Sequence, residues 1–277
     1  MNNIYKPYLM EIKEIIDETV DTRTLRLQFR NEEDKKRFSF KAGQFAEYSV
    51  FGEGECTFCI ASSPTRMDFI ECSFKQVGKV TNALRRLNIG DTIGFRGPYG
   101  NWFPVDEMKG KNIVFIAGGI GLAPVRSVIW NVLDMRKDFG DITIIYGARS
   151  VGDLVYKREL KEWQAMSDIK TIVTVDPGGE TSDWKGEIGF VPTIVEKVAP
   201  KSTNAVSIIC GPPIMIKFTL PVMMKLGFSE ENIITTLENR MKCGLGKCGR
   251  CNIGNIYVCK DGPVFRYSQL KNLPQEY

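Results

Sequence analysis

The sequence predicts an antiparallel β-barrel, then a doubly wound parallel α/β sheet, then a small metal-binding module. Residues 1–106 are short segments of alternating polarity separated by turn residues; residues 107–236 change to continuous apolar strands, glycine turns and helix-period runs; residues 237–277 hold four closely spaced cysteines. A chain of 277 residues suffices for two ordinary domains and such a module.

In the first part TRTLRLQF (Thr22–Phe29), GQFAEYSVF (Gly43–Phe51), FIECSFKQV (Phe69–Val77) and DTIGFRGPYG (Asp91–Gly100) read as strands, because apolar residues recur with period two between turn residues. Short strands of this kind close most economically into a barrel. Between two of them, KVTNALRRL (Lys79–Leu87) predicts a short helix opening at Thr81. In the second part NIVFIAGGIGLAPVRSVIWNVLDMRK places a buried strand before Gly118-Gly119-Ile120-Gly121 and a helix after it. ITIIYGAR, IKTIVTVD and VSIICGPP supply further strands. Strands alternating with helices predict a parallel sheet covered on both faces.

Gly118, Gly119 and Gly121 stand where the first N–H groups of a helix can receive a pyrophosphate; a tight turn with no ligand is the competing reading. Cys210-Gly211-Pro212-Pro213 also ends an apolar strand and falls on the same carboxyl edge, where open α/β sheets bind ligands. Gly78-Lys79-Val80-Thr81 is a second candidate phosphate site, unless Thr81 is a plain helix cap. Thr57-Phe58-Cys59-Ile60-Ala61-Ser62-Ser63-Pro64 brings an aromatic ring, a thiol and hydroxyls to a strand end, and packing alone would also account for it. Cys72, inside an alternating strand, reads as a core thiol.

Cys243, Cys248, Cys251 and Cys259 follow the pattern C-x4-C-x2-C-x7-C. Three sulfurs must converge within nine residues, so the backbone has to curl, and Gly244, Gly246 and Gly249 permit the curl. Lys247 and Arg250 add positive charge beside the thiolates. The C-x4-C-x2-C opening favours a [2Fe–2S] cluster over a cubane, and structural zinc, usually built from two C-x2-C pairs, is the alternative.

Composition narrows the class. A hydrophobic share of 43% with 25% charged residues is globular, and a net charge of +4 without a basic run points to neither nucleic acid nor anionic lipid. No uncharged run reaches the ~20 residues that span a bilayer. Lys6, Glu11, Lys13 and Glu14 occupy the stretch where a secretory leader would be apolar, so a cytoplasmic protein with reduced thiols is expected. With no histidine, imidazole proton shuttling and Rieske ligation are excluded, while hydride and electron transfer are not.

The stretches FKAGQF, GKVTNAL, GDTIGFRGPYGNWF, IAGGIGLAPVRSVI, CGPPIMIKFT and ENRMKCGLGKCGRCNIGNIYVCKDGPVF together resemble the ferredoxin–NADP reductase superfamily. Within it they are most similar to electron-transfer subunits of the hydrogenase gamma (sulfhydrogenase), anaerobic sulfite reductase and dihydroorotate dehydrogenase types. The resemblance implies a flavin-binding barrel, an NAD(P) domain and a [2Fe–2S] domain, with FAD, the cluster and NAD(H), or NADP(H), as cofactors. It implies flavin contacts from Cys56, Thr57, Phe58, Cys59, Ser73, Phe74, Lys75, Gly78, Val80 and Thr81, with the Cys59 backbone facing flavin N5. It implies nicotinamide-nucleotide contacts from Gly118, Gly119, Gly121, Arg149, Asp176, Cys210, Gly211 and Pro212, with Cys210 and Cys59 beside the reacting atoms. Arg149 reads equally as a 2′-phosphate or adenine contact, and Asp176 as a ribose contact, which leans toward NAD(H).

The family's flavin motif, Arg-x-Tyr-Ser or Arg-Pro-x-Ser, is here Cys56-Thr57-Phe58-Cys59. The missing arginine shifts the expected pyrophosphate contacts to Lys75, Lys79 and the helix start at Thr81. The function implied is an NAD(P)H-linked oxidoreductase subunit that exchanges electrons between nicotinamide, FAD and cluster, and with other redox subunits of a hydrogenase-like complex. A stand-alone NAD(P)H:ferredoxin-type reductase, or a subunit serving sulfite reductase or dihydroorotate dehydrogenase, is the alternative.

Overall fold

The computed structural model describes residues 3–274. The barrel comprises β1 (Tyr8–Asp17), β2 (Thr22–Phe29), helix α1 (Glu32–Arg37), β3 (Phe45–Val50), β4 (Gly54–Cys59), β5 (Ile70–Lys75), helix α2 (Lys79–Arg86) and β6 (Thr92–Tyr99). The six strands run in the order β4-β3-β6-β1-β2-β5, and every pairing is antiparallel. The four expected strands are all present. β1 and β4 are additions to the expected set. Met10, Ile12, Leu25, Leu27, Tyr48 and Phe95 fill the interior, with Cys72 buried among them.

The α/β domain follows with β7 (Asn112–Gly118), α3 (Leu122–Asp134), β8 (Ile142–Ala148), α4 (Lys157–Ala165), β9 (Ile169–Val175), β10 (Glu187–Ile188), α5 (Val191–Val198), β11 (Ala205–Cys210), α6 (Pro213–Lys225) and β12 (Ile233–Thr236). Its strands β10-β9-β8-β7-β11-β12 are parallel throughout. Strand alternation sends Ile113, Phe115 and Ala117 toward α3 and α4 and Val114 and Ile116 toward α5 and α6, so the sheet is covered on both sides.

The C-terminal part holds β13 (Asn252–Ile253), β14 (Ile256–Tyr257), α7 (Val258–Asp261), β15 (Val264–Arg266) and α8 (Tyr267–Leu270). β13 and β14 form a two-residue hairpin beside the cysteines. β15 then returns to the large sheet and pairs antiparallel with β12 through Ile234↔Arg266 and Thr236↔Val264. The cysteine module is thus stitched into the α/β domain by its own following strand. Among the described residues no helix is long and apolar enough to cross a membrane.

Candidate flavin, nucleotide and cluster sites

β4 and β5 are the two edges of the barrel sheet, and both meet the α/β domain. Cys59 packs against the α/β core, and the Tyr156 hydroxyl donates to Ser73 Oγ, which also bonds Thr24. Phe58 lies between Tyr48 and Phe74, with ring centroids 6.0 Å from each, and is only half-buried, so part of its ring is free to flank a flat ligand. Phe74 is wholly in the barrel core and supports Phe58 from behind. Thr57, one residue away, takes the opposite side of β4 as strand alternation requires. Its hydroxyl meets the Glu47 carboxylate at 2.8 Å and the Met241 carbonyl at 3.4 Å, so it joins β4 to the cysteine loop.

The helix at Lys79 opens earlier than expected. Gly78 is its N-cap, and Thr81 sits inside the first turn, accepting from the N–H groups of Val77 (3.0 Å) and Gly78 (2.8 Å) while donating to the Gly78 carbonyl. No side chain caps the start of α2, and a Cβ on Gly78 would meet nothing within 4 Å. An open helix start with that much room fits a phosphate. The gap between Val80 and β4 is narrow, since a Cβ on Gly54 would come within 3.1 Å of Val80 Cγ2. Lys75 and Lys79, the expected substitutes for the missing arginine, are each already paired, with Asp21 at 2.9 Å and Glu53 at 3.3 Å.

On the α/β sheet, the two glycine turns touch. β7 and β11 are neighbours, and a Cβ on Gly121 would fall 2.7 Å from the Cys210 carbonyl and the Gly211 Cα. A Cβ on Gly118 would lie 2.4 Å from Met215 Sδ and 3.2 Å from Pro212 Cδ. Gly119 has φ +54 and open space where a side chain would stand, directly at the uncapped start of α3. Close approach at Gly118 and Gly121 with open space at Gly119 fits a pyrophosphate on the α3 N-terminus. Arg149 and Asp176 end the adjacent strands β8 and β9 and act on each other electrostatically; burial raises the Asp176 carboxyl and Arg149 opposes the shift. Burial pushes the Cys210 thiol up to about 12, with Thr236 Oγ1 3.0 Å from its sulfur, and raises Cys59 further, Cys210 adding to the effect. Both thiols are neutral at physiological pH, which does not suit a nucleophile.

The cysteine loop curls as its glycines demand: Gly244, Gly246 and Gly249 have φ +71, +68 and +73. The curl turns backbone donors onto sulfur. Leu245 and Lys247 N–H each reach Cys243 Sγ at 3.3 Å, and Gly246 N–H reaches Cys259 Sγ at 3.1 Å. Burial works to raise Cys243, but the N–H groups of Leu245, Cys248 and Lys247 outweigh it and bring the thiol down to about 6. Among the described residues no three side chains converge as a mononuclear ion demands. Cys243 interacts with Cys248, and Cys259 with both Cys251 and Cys243. A binuclear iron centre takes two thiolates per metal, and the C-x4-C-x2-C-x7-C quartet supplies the four.

The loop rests on the barrel. A Cβ on Gly244 would come 2.5 Å from the Tyr99 ring, and Tyr99 packs on Phe45 at 6.0 Å. Asn101 clamps the module, donating to the Val264 and Asp261 carbonyls and accepting from Val264 N–H at 2.8 Å. On the solvent side, Cys248 is exposed, as are Arg240, Lys242, Lys247, Arg250 and Lys260. Residues 237–277 carry seven lysines and arginines against three acids, so the entire formal charge of +4 resides there.

Arg126 was invisible to the sequence reading and fixes how the two large domains meet. Only 5% exposed, it reaches from α3 to the Glu71 carboxylate and the Ala61 carbonyl of the barrel region and to Glu159 of α4, beneath the Tyr156 ring. Ser127 Oγ donates to the Ser62 carbonyl at 2.7 Å, and Arg66 and Asp134 pair at 2.7 Å nearby. The seam borders a half-open pocket of about 210 Å³ lined by Glu18, Arg126 and Tyr156 among others, below the ~300–1,000 Å³ of small-molecule sites.

Three family models match in chain order: an oxidoreductase FAD-binding domain over residues 10–103, an oxidoreductase NAD-binding domain over 115–220, and the iron–sulfur cluster binding domain of dihydroorotate dehydrogenase B over 238–271. The chain is 36% identical to sulfhydrogenase 1 subunit gamma of Pyrococcus furiosus over 277 residues, covering 99% of this chain and 95% of that one. The chain belongs to the ferredoxin–NADP reductase-like family. Within this family it is also 33% identical to a probable dihydroorotate dehydrogenase B (NAD(+)) electron transfer subunit of Methanocaldococcus jannaschii, over 96% of this chain and 92% of that one. The family fold recurs in an NADH-dependent reduced ferredoxin-NADP oxidoreductase, with TM-score 0.73 and 23% identity over 99% of this chain and 91% of that one. A ferredoxin NADP+ reductase from Neisseria gonorrhoeae, with bound FAD and NADP, superposes with TM-score 0.69 at 20% identity over 83% of this chain and 98% of that one. The protein is therefore an oxidoreductase of this family with FAD-binding, NAD-binding and iron–sulfur domains, and its quartet Cys243, Cys248, Cys251 and Cys259 fits a [2Fe–2S] centre.

Proposed function

We propose that this chain is the NAD(H)-linked electron-transfer subunit of a cytoplasmic hydrogenase-type complex, exchanging electrons with partner redox subunits through the cluster module. Bound FAD would bridge the two ends chemically, because flavin takes electrons in pairs from a nicotinamide and gives them singly to iron–sulfur centres. Phe58 would flank the ring, the Cys59 backbone would face it, and the α2 start at Gly78, with Val80 and Thr81, would hold the pyrophosphate. Gly118, Gly119, Gly121, Gly211 and Pro212 would shape the nicotinamide-nucleotide edge, with Cys210 near the nicotinamide and Arg149 and Asp176 available to the adenosine end.

The observation that carries the reading is the contact between β4 and the cysteine loop, Thr57 Oγ1 to Met241 O at 3.4 Å, which brings the flavin strand against the cluster loop. Support for a separate partner comes from the full-length similarity to a sulfhydrogenase gamma subunit and from the exposed edge at Cys248. Similarity to a dihydroorotate dehydrogenase electron transfer subunit favours a second reading in which a different catalytic subunit receives the electrons. Anaerobic affinity purification from the native cell tests both: a hydrogenase catalytic subunit co-purifies on the first reading, a dihydroorotate dehydrogenase on the second. In the purified complex Cys259→Ser should retain NADH-dependent bleaching of flavin absorbance and lose delivery to the partner; undiminished delivery overturns the proposed route.

A further inference from the structure

Position 56 is where the barrel lacks a charge. Cys56 lies on β4 between Phe58, which flanks the ring, and Gly54, which faces Val80 at the start of α2. A pyrophosphate running from ring to helix start passes this position, and a neutral thiol stands there in place of the family's guanidinium. The neighbouring barrel cations each face an acid. Lys75 pairs with Asp21 at 2.9 Å, Lys79 and Arg86 share Glu53 at 3.3 and 3.4 Å, and Arg96 pairs with Glu55 at 2.9 Å.

One cation comes from outside the barrel. The Met241 carbonyl lies 3.4 Å from the Thr57 hydroxyl, on the side of β4 opposite Cys56, which puts the next residue, Lys242, at the edge of this outer strand. Lys242 is exposed, forms no ion pair among the described residues, and is the cation that acts on the Cys56 thiol.

We propose that Lys242, carried by the cluster module, supplies the positive charge missing at position 56 and pairs with the FAD pyrophosphate. This rests on the assignment of β4 and α2 as the flavin site. Lys242 precedes the cluster ligand Cys243 in the chain, so the flavin cradle is complete only when the cysteine loop is seated. Flavin retention and cluster loading are then linked, and the linkage is reciprocal: bound FAD also holds the loop in place.

The test uses the full chain with its cluster, stripped of FAD and titrated with FAD by fluorescence quenching, with iron measured on every sample. Lys242→Ala should bind FAD about tenfold more weakly, the order expected for one charge-assisted contact, and its affinity should fall less steeply with salt. Lys242→Arg should bind as the wild type does, and Cys56→Arg placed in the Lys242→Ala chain should restore binding. Unchanged affinity in Lys242→Ala, or a loss that Cys56→Arg does not restore, overturns the proposal. If Lys242→Ala also sheds iron, Lys242→Gln and Lys242→Arg are compared at equal iron content, and equal affinity of those two overturns it. A wild-type chain that takes up no FAD would instead sink the assignment of the flavin site.

Discussion

The barrel meets the α/β domain through a buried arginine and its carboxylates, and meets the cluster module through backbone, rings and the Thr57 hydroxyl, with most of that module's own cations left in water. At the first seam Arg126 is enclosed by Glu71, Glu159, a carbonyl and the Tyr156 ring. At the second, Gly244 lies against Tyr99, Asn101 grips two carbonyls, and five cations face solvent. Enclosed ions are costly unless every partner is in place, so such a seam tolerates essentially one orientation. Hydride transfer between cofactors held on two domains needs that fixity. An electron exit needs only proximity, and its seam can expose its charge to a partner.

The largest effect that would break this contrast is at the first seam. Arg126→Ala strands the buried Glu159 carboxylate and leaves Glu71 with Arg26 alone, and should destabilise the chain by about 3–5 kcal/mol in chemical denaturation, whereas replacing Arg126, Glu71 and Glu159 together by Met, Leu and Leu should cost far less. Equal losses in the two variants would show that packing, not charge, governs the seam. A smaller effect tests the second seam. Gly244→Ala forces a side chain onto a positive φ and into the Tyr99 ring, at about 1–3 kcal/mol; iron content should drop with it, and Tyr99→Leu should recover part of the loss. Full iron in Gly244→Ala would mean that the loop does not depend on this approach.

The smallest effect is a slope. Burial alone would raise the Glu71 carboxyl, but Arg126 and Arg26 outweigh it and hold it below its ordinary 4.5. A folded value lower than the unfolded one gives stability that is complete above 4.5 and drains away as the pH falls through the folded value. Glu71→Gln should therefore flatten the acid side of the stability profile and leave the neutral side parallel to wild type. A wild-type profile that is already flat there would remove Glu71 from the account.

Much of the architecture was legible because it obeys simple periods, and what escaped was where tertiary contacts override them. The four barrel strands and the four main α/β strands alternate or run apolar as their burial requires. β1 did not, because its register shifts between Ile12 and Glu14 and interrupts the alternation with charged residues. β4 is half-buried along most of its length, so neither face is marked by polarity. β15 is three residues long and exists by pairing with β12, which no local pattern announces. The cysteine quartet and the two glycine turns were legible since metal spacing and close approach constrain neighbours in sequence. Arg126 was not, because an arginine in a helix reads as solvated until Glu71 and Glu159, both distant in the chain, are seen around it. Thr81 was expected to open the helix and lies inside its first turn instead, because Gly78 is the N-cap and the Thr81 hydroxyl turns back on Val77 and Gly78.

Strand β15 gives the molecule an unexpected indivisibility. By lying along β12 it covers what would otherwise be a bare sheet border with unpaired amides, the kind of border that recruits foreign strands. A flavoprotein core trimmed just before the cysteines would lose its electron outlet and also gain an adhesive margin. Grafting the cysteine loop onto another reductase as an interchangeable cassette would therefore require carrying that short closing strand with it.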